Sequence, residues 1–269
     1  MLRWAGQAFA SELATFAAVG AVGPLVITAL LFGLLDDAYG SESHRGFRGH
    51  LAAITRGRLT TGAFKLIGIG LVSVAAATSI VGGSLGGQGS GGGSSGTLPA
   101  LLLSAAWTIA LGAVIALSAN LLNLLDLRPG RALKGFGLYA AMLVIGAPLS
   151  GAASLGGTVL LALALFGPVV AVWHLDLSEA GMLGDAGANA AGAVVGFVAA
   201  WECGCSWPAL VVLCVLLAFN LASERWSFSR VIANNRLLSA IDNLGRLEYD
   251  PPAEQELGKT SPLKETSDG

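Results

Sequence analysis

Four aspartates in three short stretches have the most chemistry to offer: Asp36 and Asp37 in "FGLLDDAYG", Asp126 in "NLLNLLDLRPG" and Asp185 in "GMLGDAGANAAG". Clustered carboxylates bind a divalent cation such as Mg²⁺, while neighbouring Lys and Arg receive the remaining charge of a phosphate. Asp36, Asp37 and Asp126 each follow an apolar stretch, which places them at helix C-termini, where the partial negative charge calls for a cation. Arg45, Arg48, Arg128, Arg131 and Lys134 could provide ordinary interfacial ion pairs there. Asp185 instead precedes "AGANAAGAVVGFVAA". Its carboxylate could cap the first N–H groups of a helix, and the same amides would suit a phosphate.

The elements that must position these acids are transmembrane. The chain is 54% hydrophobic and 12% charged, far more apolar than a soluble domain of 269 residues requires. Ionisable side chains are missing between Glu12 and Asp36, Lys65 and Asp126, Lys134 and His174, Asp185 and Glu202, and Glu202 and Glu224. Each gap holds one or two runs of roughly 20 apolar residues, the length that crosses the hydrocarbon core. The pattern predicts an all-α, polytopic bundle of seven spans at about 13–35, 65–83, 98–121, 136–152, 157–173, 187–201 and 207–222. A cleaved signal peptide is not expected, because the first apolar run continues into paired aspartates in place of a small-residue cleavage site. Thirty-eight glycines suit close helix packing in lipid.

With alternating helices, the loops at 36–64, 122–135 and 174–186 share one side with the tail after 222. Fourteen of the fifteen Lys and Arg fall there or at its boundary, which makes that side cytoplasmic, with the N-terminus outside. All four aspartates lie on this face. The opposite connections, including "GGSLGGQGSGGGSSG" at 82–96, carry no basic residue, and the glycine-serine run reads as a flexible outer loop. Cys203 and Cys205 are too close for an unstrained disulfide, Cys214 lies within a helix, and no zinc set forms with His44, His50 and His174. Residues 1–222 thus read as the bundle. Residues 223–249 have apolar side chains at three- and four-residue spacing, as in an amphipathic cytoplasmic or interfacial helix, and 250–269 reads as a disordered tail. Basic residues beside a membrane have lipid phosphate as the nearer partner, so nucleic-acid binding is not expected.

The order of "FGLLDDAYG", "NLLNLLD" and "MLGDAG" across residues 32–187 resembles the polyprenyl-phosphate N-acetylhexosamine-1-phosphate transferases, the family that includes phospho-N-acetylmuramoyl-pentapeptide transferase. The resemblance implies a Mg²⁺-dependent enzyme of the cell membrane. Such an enzyme transfers a sugar-1-phosphate from a UDP-N-acetylhexosamine to a polyprenyl phosphate at the cytoplasmic face, releasing UMP and initiating an envelope glycan. By position, Asp185 would be the leading metal ligand, and Asp36 and Asp37 would position or deprotonate the attacking lipid phosphate. Asp126 and Asn123 would line the nucleotide and metal site, in a run extended back to Asn120. Lys65 in "LTTGAFKLIG" would neutralise diphosphate; apart from the resemblance, Arg128 reads either as positive-inside topology or as part of a phosphate-binding rim.

Three departures accompany the resemblance, one being that the histidine-rich cytoplasmic loop of the muramoyl-pentapeptide branch has no counterpart between residues 222 and 269, which argues against that branch's substrate. The family's run continues Asp-Gly-x-Asp-Gly, whereas Asp126 is followed by Leu127, Arg128, Pro129 and Gly130, so the second acid is absent. The family also places two helices ahead of the one that ends in Asp-Asp. Either this chain starts inside a longer gene product, or it is a short, divergent member. The alternative expectation is a non-catalytic relative that binds lipid phosphate and organises envelope-assembly partners; a homo-oligomer is open under both.

Overall fold

The computed structural model describes residues 2–40, 55–57, 60–86, 97–150, 167 and 169–245; within these, 2–19, 84–86 and 147–150 contribute a helical path alone. The described residues form helices and no strand. In chain order these are α1 (Leu2–Tyr39), α2 (Thr61–Gly86), α3 (Leu98–Leu125), α4 (Arg131–Ser150), α5 (169–177), α6 (Gly184–Cys203), α7 (Trp207–Ser223), α8 (Phe228–Asn234) and α9 (Arg236–Asn243).

Each boundary has a local cause. Proline occupies the first turn of both α3 and α7, where its missing N–H costs no helical bond. Gly130, Gly184 and Gly204 take positive φ, the left-handed region that glycine enters most readily, where the chain turns between helices. Helix α1, at 38 residues about 57 Å long, continues through Pro24.

Helix α6 is the centre of the bundle, packed chiefly against α3 and α1. Its small residues make that possible. A Cβ on Gly192 would lie 2.5 Å from the Ser118 carbonyl oxygen, and one on Gly196 would lie 2.9 Å from Ile115 Cα. On the other side, a Cβ on Gly33 of α1 would lie 2.5 Å from the Asp185 carbonyl oxygen. Contacts this close are to backbone, which cannot rotate aside, so these crossings require glycine. The main core joins Leu25, Ile69, Ile80, Leu111, Ile115, Ala193 and Phe197. A second core of Leu122, Leu133, Phe136 and Val195 seats α4 beside α3 and α6.

The outer surface is apolar where a soluble bundle would be polar: Leu31, Leu71, Leu102, Ile109 and Leu221 are each more than half exposed. Among the described residues three helical stretches, Gly20–Tyr39, Thr61–Gly83 and Leu98–Leu125, are long and apolar enough to cross a membrane, and a fourth counts if α7 and α8 form one span bent by 92°. Seven spans are expected, and by length and composition the described residues support three or four of them. Six of the seven ranges fall on α1, α2, α3, α4, α6 and α7, while 157–166, most of the remaining range, lies outside the described residues. Helix α6 is enclosed by protein and rich in Ala and Gly, so an uncharged run there does not require a lipid-facing surface.

Two further boundaries differ from expectation. Residues 82–86 of the expected outer loop belong to α2, and 87–96 lie outside the described residues. The expected amphipathic helix at 223–249 is two short helices meeting at Asn235. Asn235 is extended, at φ −110° and ψ 118°, and its side chain accepts hydrogen bonds from the N–H groups of Leu237 and Leu238 to start α9. The expected disordered tail, 250–269, lies outside the described residues.

Candidate functional site

The three acidic stretches meet. Asp36 and Asp37 end α1, Lys65 stands one turn into α2, Asp126 terminates α3 and Asp185 opens α6. The Gly33 crossing carries the last turn of α1 onto the first turn of α6, so helix packing sets the approach of Asp36 and Asp37 to Asp185. An edge-to-face contact between Phe32 and Phe64, with centroids 5.0 Å apart, joins α1 to α2 beside Lys65.

Lys65 is the bridge. Its ammonium is almost completely buried, lies 2.6 Å from Asp36 Oδ2, and also donates to Asp185 Oδ2. Asp37 serves a different purpose. Its carboxylate accepts the backbone N–H groups of Asp185, at 3.0 Å, and Ala186, at 3.1 Å. Asp37 therefore caps α6 from another helix, and the Asp185 carboxylate, which the sequence offered as a cap, is free to turn to Lys65. A carboxylate at the wrong end of α1 becomes a favourable one at the N-terminus of α6.

Asp126 has no such compensation. Its Oδ1 is buried without a hydrogen-bond partner. Burial pushes its pKa up to about 7; the charge of Asp176 adds to this, as do Asp185 and Asp37 more weakly, while a hydrogen bond from the Gly184 backbone opposes them. Asp176 is itself buried, with Oδ2 accepting from Gly130 N–H at 2.6 Å and Oδ1 from Leu183 N–H at 3.2 Å. It ties the turn after Asp126 to the approach to Asp185.

Asn123 faces the cluster through Asn189. The Asn189 amide donates to the Asp185 carbonyl at 2.6 Å and lies 3.4 Å from Asn123 Oδ1. Asn120 is turned elsewhere, donating to Asn220 Oδ1 on α7 at 2.6 Å. Arg128 is half exposed and stands 3.9 Å from Asp242. The cationic partners considered for the acids are also redirected: Arg131 makes a bidentate pair with Asp242 at 2.7 and 2.8 Å, and Lys134 donates to the Asp242 carbonyl. Arg45 and Arg48 lie outside the described residues.

Spacing gave a signal for one of the additional residues: Asn189 is four positions after Asp185, on the same helix face. Asp176 and Asp242 gave none, since their partners are backbone amides and a distant arginine. Among the described residues no three His, Cys, Asp or Glu side chains are grouped to hold a metal ion. Lys65 already joins two of the acids, and Asp37 is engaged as a cap. The assembly is an anionic centre at one end of an apolar bundle, with one buried ammonium and one orphaned carboxylate oxygen among its described side chains. No family model matches the chain, and no curated protein or solved structure matches it.

Proposed function

We propose that the chain transfers N-acetylhexosamine-1-phosphate from a UDP-sugar to a polyprenyl phosphate, releasing UMP and initiating a cell-envelope glycan. The observation that carries this reading is the meeting of Asp36, Asp37, Lys65, Asn123, Asp126 and Asp185, which are scattered over 150 positions of sequence. The proposed membrane arrangement has seven spans, the N-terminus outside and the acids at the cytoplasmic face. A site at helix ends suits the two substrates: the donor is soluble and charged, while the acceptor keeps its chain in lipid and its phosphate at the surface.

The donor type suits a hard cation, while no three of the acids are grouped to hold one among the described residues. The candidates are all oxygens, and the orphaned Oδ1 of Asp126, raised by burial and surrounded by Asp176, Asp185 and Asp37, lacks the positive charge that would hold it ionised. Asp185 and Asp126 would hold Mg²⁺, which supplies charge stabilisation to a diphosphate when bound. Lys65 would exchange its carboxylates for phosphate oxygens, presenting positive charge without entering from solvent. Asp36, released from Lys65, and Asp37, fixed on α6, would orient the acceptor phosphate. Asn189 and Asn123 would hold the Asp185 turn in place. Little covalent chemistry is asked of the protein, so alignment and electrostatics carry the rate.

The test is UMP release by the purified chain in lipid nanodiscs supplied with polyprenyl phosphate, UDP-N-acetylhexosamines and Mg²⁺. Release should require all three, and Asp185→Asn should lower it by about 100-fold or more. Undiminished release from Asp185→Asn would overturn the assignment of Asp185. Absence of release with every UDP-N-acetylhexosamine would overturn the enzyme.

A second reading is favoured by the same Lys65 bridge: the acids neutralise one another through a lysine, and no three are grouped for a metal among the described residues. A non-catalytic relative that binds lipid phosphate through Lys65 and organises envelope-assembly partners would look this way. Polyprenyl phosphate binding that is lost in Lys65→Met, without turnover and without Mg²⁺ dependence, distinguishes it.

A further inference from the structure

Helix α7, at 17 residues about 26 Å long, ends at Ser223, and α8 leaves it at 92°. A helix nearly perpendicular to a membrane span runs along the membrane surface. Phe228 closes the bend by packing edge-to-face on Phe219, with centroids 6.5 Å apart, and Trp226 stands 62% exposed at the corner. At 100° per residue, Leu237, Leu238, Ile241 and Leu244 occupy about one third of the circumference of α9 and its C-terminal extension, with Arg236, Ser239 and Asn243 opposite. The four apolar side chains are all exposed, Leu237 and Leu244 at 70% and 71%. Asp242 projects from the flank between the two faces, where Arg131 holds it buried. The helix is therefore fixed along one side and bare along another.

We propose that residues 225–244 lie on an anionic lipid bilayer surface, with the Leu237, Leu238, Ile241 and Leu244 stripe in the acyl boundary. Charge selects this occupant. Arg225, Arg230 and Arg236 are exposed, while the Asp242 carboxylate is taken by Arg131. A bilayer of anionic phospholipid supplies the opposite charge and an apolar layer below it, with Trp226 at the level where aromatic side chains collect. The Arg131–Asp242 pair becomes the pin that fixes the rotation of α9. The proposal requires α7 to cross the membrane and is independent of the transferase reading.

Single nitroxide labels at Leu237→Cys, Ile241→Cys, Leu244→Cys, Ala240→Cys and Asn243→Cys, in the full chain with its native cysteines replaced by alanine, test it. All five positions are exposed, so the label displaces no core contact. In nanodiscs of phosphatidylcholine with about one quarter phosphatidylglycerol, the ratio of oxygen to nickel-chelate accessibility at 237, 241 and 244 should exceed that at 240 and 243 by about threefold. The contrast should shrink in phosphatidylcholine alone and lose its lipid dependence in Arg225→Gln/Arg230→Gln/Arg236→Gln. Equal accessibility at all five positions would overturn the proposal. So would spin–spin broadening confined to the stripe and removed by dilution with unlabelled protein, which would assign the surface to a second copy. Contrast indifferent to lipid charge in the native-arginine chain would overturn the anionic specificity.

Discussion

Two charged assemblies contain the same kinds of side chain and balance them oppositely. Where α4 meets α9, one carboxylate, Asp242, has Arg131 in bidentate contact and Arg128 3.9 Å away, with Lys134 on its carbonyl. Where α1, α2, α3 and α6 meet, one ammonium serves two carboxylates directly, a third caps a helix, and a fourth has an orphaned oxygen. The first assembly is saturated and fastens one element to another. The second has surplus negative charge, as expected of a site built to receive a cation or a phosphate with its cation. Surplus is the distinguishing feature, since both assemblies are substantially buried and both join distant segments.

Substitution of the central cation should separate the two most strongly. Lys65→Met leaves Asp36 and Asp185 facing each other without compensation and should destabilise the whole bundle by about 4 kcal/mol, measured by thermal unfolding in detergent. Arg131→Met also strands a carboxylate, at a cost of about 3 kcal/mol, but the loss should be confined to hydrogen-exchange protection across 228–243. Global unfolding by Arg131→Met at a temperature where Lys65→Met stays folded would reverse the assignment of which assembly is structural.

Acidification should move the two in opposite directions. Asp126 has a folded-state pKa of about 7 against an ordinary 3.8, so the folded chain binds its proton more tightly. Its contribution to stability therefore increases as pH falls from above 7 towards 4, and the cost of its charge is fully present above 7. Arg131 holds Asp242 below the ordinary 3.8, so that contribution is intact above about 4 and is lost only as pH falls through the lowered value. Hydrogen exchange of the 126–131 turn and of 236–243 across pH 3 to 8 should show these opposite slopes. Asp126→Asn should remove the first slope and raise stability near neutral pH by about 1 kcal/mol. Mg²⁺ should stabilise the native chain and have no such effect on Asp126→Asn; equal stabilisation of both would detach the cation from Asp126.

The acids were legible in the sequence because ionisable groups interrupt long apolar runs, and alternation of those runs puts them at one end; Lys65 was singled out by the family resemblance. The division of labour among them was not legible. That Asp37 caps α6 while Asp185 turns to Lys65 depends on the Gly33 crossing, and a glycine in an apolar stretch looks the same whether it faces lipid or another backbone. Asp176 could not be found by pattern because it serves two backbone amides. Counting uncharged runs placed helices over six of the seven expected ranges among the described residues, but an uncharged run does not by itself tell a lipid-facing span from a helix such as α6 that is packed against protein. Three- and four-residue spacing identified the apolar side of 228–244, while the break at Asn235 depends on a side chain that caps the second helix.

Arg128 sharpens the comparison at its boundary, since its sequence position leaves it between an interfacial ion pair and a phosphate rim, and an anion beside it in the structure is Asp242. At 3.9 Å with a half-exposed side chain, the pair contributes about 0.5 kcal/mol or less. Arg128→Gln should therefore leave the unfolding temperature and the protection of 236–243 almost unchanged. If Arg128 belongs to the phosphate rim, the same variant should raise the KM for the UDP-sugar by about tenfold while kcat changes little, because a charge that contacts donor phosphate equally before and during transfer contributes uniform binding. A KM unchanged in Arg128→Gln would assign Arg128 to the saturated assembly, leaving Lys65 as the described cation of the unsaturated one.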